Sequence, residues 1–183
     1  IHNTPAPTAV NQEFCISENA TIANLVATGQ NIKWYETATS TTALNTNIAL
    51  VNGTSYFATQ TLNNCESVNR TEVVVTIQDT AAPTAINQAF CISENATIAD
   101  LVAIGQNIKW YETATSTTEL ATTTVLSSGS YFASQTENGC ESVNRAEVVV
   151  TIQDTAAPTA VDQEFCISEN ATIADLVAIG QNI

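Results

Sequence analysis

The sequence has no methionine, one histidine, and four basic residues against eighteen acidic ones in 183. Each shortage excludes something. With His2 as the only imidazole, no Ser-His-Asp or Cys-His pair can recur from one part of the chain to the next. A zinc site has no second histidine to draw on, and no CxxC spacing occurs. A net charge of −14 repels phosphate backbones and anionic bilayers, so nucleic acid is not an expected partner. No apolar run is long enough to cross a bilayer, so direct membrane insertion is not expected either. A DxDxDG calcium loop is also missing, and Asp79 and Asp154 stand singly as solvated carboxylates. Glu13 and Glu18 could form an acid–base pair, but Glu13 is matched by Ala89 in a later copy of the same segment. The expectation is a non-enzyme with no catalytic residue, no metal and no cofactor.

What the sequence has is repetition, which must be tested before any local reading. Cys15, Cys91 and Cys166 open three copies of one pattern, and "FCISENATIADLVAIGQNI" is identical at 90–108 and 165–183. Residues 7–44 and 83–120 differ at five of 38 positions, and 56–82 and 131–157 at four of 27. Copies this close point to one shared job, since a unique active site would make its copy diverge. "IHNTPAPTA" at the start matches "IQDTAAPTA" at 77–85 and 152–160. The expected division is therefore 1–6 as the tail of a preceding repeat, 7–81 as repeat 1, 82–156 as repeat 2 and 157–183 as the front of a third. On this reading the chain is a window on a longer array.

Strand signals dominate each copy. "EVVVTIQ" at 72–78 and 147–153 is a β-branched run suited to a buried terminal strand. In "NIKWYET" the alternation places Ile32 and Trp34 on the core face, with Trp110 equivalent to Trp34. Tyr35 and Tyr111 then face the other way. They either lie under a neighbouring loop or offer a face to a sugar. "SENATIANLVATG" reads as a single helical turn or a short strand. Turns are expected at Asn52-Gly53, Ser128-Gly129 and Asn138-Gly139, and Pro83 and Pro158 stiffen the linkers. Arg70 and Arg145 are expected to form a salt bridge or to cap a hairpin. Several short strands in about 75 residues make a β-sandwich.

A domain this small needs a staple. Two cysteines per repeat in a Thr-rich β unit read as disulfides formed in an oxidising compartment. Two pairings are possible. Cys15–Cys65 with Cys91–Cys140 closes each repeat on itself and leaves Cys166 to a partner outside the chain. Cys65–Cys91 with Cys140–Cys166 ties neighbours across the linkers. The first is favoured because it staples the domain that needs it.

The order Cys, "ATIADLVAIGQNIKWY", "GSYFASQ", "NGCESVNRAEVVVTI" strongly resembles the Ig-like repeats of large Bacteroidota surface proteins, the type found with gliding-associated C-terminal domains. The resemblance implies an all-β chain of tandem immunoglobulin-like sandwiches, each with one intradomain disulfide. It implies an extracellular, cell-surface location reached by type IX secretion, and a stalk or filament role. The implied partners are neighbouring repeats, like filaments or a surface anchor. The alternative is an adhesin whose repeats themselves hold a glycan or protein ligand. It also implies O-glycosylation at Thr80 and Thr155, in the "DTA" of each linker, against a plain Asx-type turn.

Overall fold

A computed structural model of the chain describes residues 3–181. His2, the sole histidine, lies outside the described residues. The first repeat contains β1 (Gln12–Cys15), β2 (Lys33–Tyr35), β3 (Ser55–Thr59), β4 (Thr61–Leu62), β5 (Cys65–Glu66) and β6 (Thr71–Gln78). Four of these form a sheet in the order β1-β6-β3-β2. The β2–β3 and β3–β6 pairs are antiparallel, whereas β1 runs parallel to β6. β4 and β5 extend the β3–β6 hairpin beyond a break at Gln60, around a turn in which Asn63 and Asn64 both have positive φ.

The second repeat copies this plan. Its elements are β7 (Thr84–Ala85), β8 (Gln88–Cys91), β9 (Ala103–Ile104), β10 (Lys109–Tyr111), β11 (Gly129–Ser134), β12 (Thr136–Glu137), β13 (Cys140–Glu141) and β14 (Ala146–Gln153). The sheet order is β10-β11-β14-β8, again with its terminal pair, β8 and β14, parallel. Its hairpin turns at Asn138-Gly139, where Gly139 has φ +82° and supplies the left-handed conformation that a two-residue turn needs.

The opposing layer is thin. In repeat 1 it consists of the bridges Thr8–Thr28 and Thr21–Ala49. In repeat 2 it is the β7–β9 pair and the bridge Thr97–Val125. The expected helical turn or strand is two three-residue 3-10 turns, Ile16–Glu18 and Ile22–Asn24. Each is closed by a side chain reaching back: Glu18 accepts from the Cys15 N–H and Asn24 from the Thr21 N–H. Asp100 replaces Asn24 in repeat 2 and accepts the same bond from Thr97.

Period-two patterning builds the core between the layers. Val73 and Val75 on β6, Tyr56 and Ala58 on β3, and Trp34 on β2 face inward against Ile22, Leu25 and Leu50. Trp110, Ala133, Val148 and Val150 repeat this against Ile98, Leu101 and Leu126. The hydroxyl of Tyr56 accepts from the Val51 N–H, and that of Tyr131 from the Ser127 N–H, pinning the loop before each tyrosine strand. In the third copy the 3-10 turns Ile167–Glu169 and Ile173–Asp175 form. Its Ile173 is 87% exposed, where the equivalent Ile22 and Ile98 are 2% exposed.

Candidate functional site at the repeat joint

The parallel pairing of β1 with β6 decides where the cysteines lie. Cys15 is registered with Gln78, at the end of β6 from which the chain leaves for repeat 2. Cys65 lies in the hairpin that precedes β6, at its opposite end. Eight residues of strand separate the two ends, roughly 25 Å. A disulfide needs Cα atoms within about 7 Å. The expected Cys15–Cys65 and Cys91–Cys140 bonds are therefore replaced by a different one. Cys15 is joined to Cys140, with a Cα–Cα distance of 5.3 Å and a sequence separation of 125. The bond runs between repeats, from the outgoing end of repeat 1 to the hairpin tip of repeat 2. Cys65, Cys91 and Cys166 are free and exposed. The alternative Cys65–Cys91 bond would join the incoming end of repeat 1 to the outgoing end of repeat 2.

The linker is held to the same hairpin. Thr80 is 4% exposed, and its hydroxyl donates to the carbonyl oxygen of Cys140 at 3.0 Å. The Gln135 side-chain amide donates to Ala81 O at 2.9 Å and accepts from the Gln106 N–H at 3.0 Å. A Cβ at Gly105 would meet that Gln135 oxygen well inside van der Waals contact, so any larger residue would displace the amide from its two bonds. Repeat 1 has the same latch: Thr4 donates to Cys65 O and Gln60 to Pro5 O, each at 3.0 Å. Residues 4–6, expected as the tail of a preceding repeat, thus pack on repeat 1 itself. Thr80, expected as a glycan acceptor, is buried with its hydroxyl engaged. Thr155 is exposed.

A second polar group lies on the outer face of each sheet. The Glu66 carboxylate accepts from Lys33 Nζ at 2.6 Å, Tyr35 Oη at 2.5 Å and Thr59 Oγ1 at 2.7 Å. Glu141 is held in the same way by Lys109, Tyr111 and Ser134. Ser134 replaces Thr59 and keeps the hydroxyl. Hydrogen bonds from Lys33, then Tyr35 and Thr59, pull the Glu66 carboxyl down to about 2. Burial pushes Glu141 up, but the bonds from Ser134, Tyr111 and Lys109 outweigh it and bring the group to about 2 as well. The Tyr35 phenol is raised by burial and by its bond to Glu66.

Tyr35 and Tyr111 offer no free face. Each is buried, with Arg70 stacked 3.7 Å from the first ring and Arg145 3.5 Å from the second. Arg70 donates to Thr37 O and Ser40 O, and Arg145 to Thr113 O and Ser116 O. The arginines therefore tie down a loop over the tyrosine. The lysines, not the arginines, make the ion pairs.

This group predicts how stability depends on acid. A carboxylate whose folded value lies below its unfolded one contributes stability above the unfolded value and loses it as pH falls through the folded value. Between about pH 5 and pH 2 each repeat should lose about 1–2 kcal/mol from this source, discounted for partial exposure. Thermal unfolding across that range should show the decline, and Glu66→Gln with Glu141→Gln should flatten it. An unchanged acid slope in the double variant would remove Glu66 and Glu141 as its source.

The family described as "Ig-like domain CHU_C associated" matches residues 4–78 and 81–153. The strand order and inward tryptophan described above are those of an immunoglobulin-like sandwich, and the chain belongs to this family. No curated protein matches it. Among solved structures it is similar to extracellular domains 3–5 of Drosophila OTK, at 12% identity and a TM-score of 0.32. That match covers 82% of this chain and 61% of that one. It is also similar to the titin domains z1z2 in complex with telethonin, at 12% identity and a TM-score of 0.29, covering 85% and 100%. For immunoglobulin domains 1–5 of Sidekick-1 the values are 10%, 0.25, 82% and 40%. Family membership points to a non-catalytic repeat of the extracellular structural or adhesive kind. Among the described residues no helix is long and apolar enough to cross a membrane.

Proposed function

We propose that the chain is a segment of a structural array, a stalk or filament at a bacterial surface, whose repeats act as spacers resistant to stretching. The observation that carries this reading is the Cys15–Cys140 bond. A tensile load entering before Cys15 crosses to Cys140 and bypasses the segment between them, across a sequence separation of 125. Most of both sandwiches lies in the bypassed segment, so unfolding it releases no length. An intradomain bond from Cys15 to Cys65 would shield one repeat alone. The adhesin alternative has less support, because the aromatic faces that could stack on sugar are covered by Arg70 and Arg145.

Single-molecule stretching tests this. Pulled from its two ends, the oxidised chain should reach a contour of roughly 200 Å, at about 3.5 Å per residue of unshielded chain. After reduction it should lengthen to roughly 640 Å. An oxidised chain that extends to the reduced length would end the shielded-spacer reading. Saturable glycan binding by the intact chain would favour the adhesin.

A further inference from the structure

We propose that Cys91, with Thr155 and Ala156, is a docking site for the hairpin of a further repeat of this sequence, and that Cys91 forms a disulfide with that hairpin's cysteine. The inference does not depend on the spacer role. It rests on three separate observations.

The first is that the site is already seen occupied one repeat earlier. Cys91 ends β8 beside Gln153 as Cys15 ends β1 beside Gln78. Around the occupied joint lie Phe14, Glu18 and Gln78; around Cys91 lie Phe90, Glu94 and Gln153. Only Glu13, which is Ala89 in repeat 2, differs. The second is the linker. Thr80 and Ala81 hold the Cys140 hairpin through two hydrogen bonds, and Thr80 is buried by doing so. Thr155 and Ala156 have the same sequence context and are exposed. The third is apolar. Ile173 and Leu176 are 87% and 57% exposed, whereas Ile98 and Leu101 are 2% and 7% exposed under the remainder of repeat 2. A segment with the sequence of 109–153 would cover them and bring its hairpin to Cys91. Cys65 is the complementary half: an exposed hairpin cysteine equivalent to Cys140, suited to the opening cysteine of a repeat on its other side.

The bond forms by thiol–disulfide exchange with a small-molecule disulfide of the oxidised-glutathione class. The Cys91 thiolate attacks that disulfide, forming a mixed disulfide and releasing one thiol. The hairpin thiolate then attacks the Cys91 sulfur and displaces the second. Two protons leave the protein thiols, and two electrons reduce the small disulfide to two thiols. Repeated along an array, the result is a ladder in which every repeat is bonded to the repeats on both sides, each bond offset by one unit.

The test lengthens the full chain after Ile183 by a second copy of the sequence 109–153 and folds it in a glutathione redox buffer. The present chain has three reactive thiols. Although the longer chain gains a cysteine, its reactive thiols should fall to two, Cys65 and Cys166, with Cys91 mapped to the added cysteine. Cys166→Ser should leave that bond in place, and Cys91→Ser should leave the added cysteine reactive. Four reactive thiols would overturn the proposal. So would a map joining the added cysteine to Cys166, or an added cysteine that becomes reactive in Cys166→Ser.

Discussion

Trp34→Ala should destabilise the first repeat by about 3–5 kcal/mol, and Trp110→Ala the second by a similar amount. Each indole is at most 7% exposed and faces two valines from the strand next but one. Truncation leaves a void that Val73 and Val75, or Val148 and Val150, cannot fill, because their strand is held by hydrogen bonds on both sides. The loss should be local, since the two cores share no residue. Hydrogen exchange resolved by peptide would show protection falling in one repeat. An equal fall in both would contradict separate cores. Tyr35→Ala should also be costly. The opposite side of the sheet is not an open surface, because Tyr35 is 5% exposed beneath Arg70 and bonded to Glu66.

Cys140→Ser should act on both repeats at once. The bond closes a loop of 125 residues, which in the chain-entropy treatment constrains the unfolded state by about 5 kcal/mol. Because the loop contains most of both sandwiches, urea unfolding should shift for both. Cys15→Ser should match it, the two removing the same bond. Cys91→Ser should leave the stability of this chain nearly unchanged, since its thiol is exposed and free. A large loss in Cys91→Ser with none in Cys15→Ser would contradict the observed pairing.

Composition and periodicity were enough to place the tryptophan, tyrosine and valine-rich strands, and the alternation in "NIKWYET" put Trp34 and Trp110 inside. The "EVVVTIQ" runs became β6 and β14 because alternate valines meet the core while the strand pairs on both edges. What could not be read was which ends of the sandwich the cysteines occupy. That depends on β1 pairing parallel to β6, a long-range contact that leaves no local trace in four residues such as "QEFC". An antiparallel pairing would have brought Cys15 toward the hairpin side and made an intradomain bond reachable. The burial of the linker threonine was likewise not legible. "DTA" as a string suggests an exposed turn, but the hairpin of the following repeat folds back over Thr80. The cluster at Glu66 was missed as well, although one signal was present. Lys33, the only lysine of its repeat, is two residues from Tyr35 on the same strand, and two such donors on one face can share a carboxylate.

Covalent connection runs between repeats, not within them, and peptide mapping under non-reducing conditions tests this most directly. Oxidised protein, alkylated and digested without reductant, should yield one cross-linked species joining the Cys15 peptide to the Cys140 peptide. Cys65, Cys91 and Cys166 should be recovered as alkylated thiols. Recovery of Cys15 joined to Cys65 together with Cys91 joined to Cys140 would contradict the account.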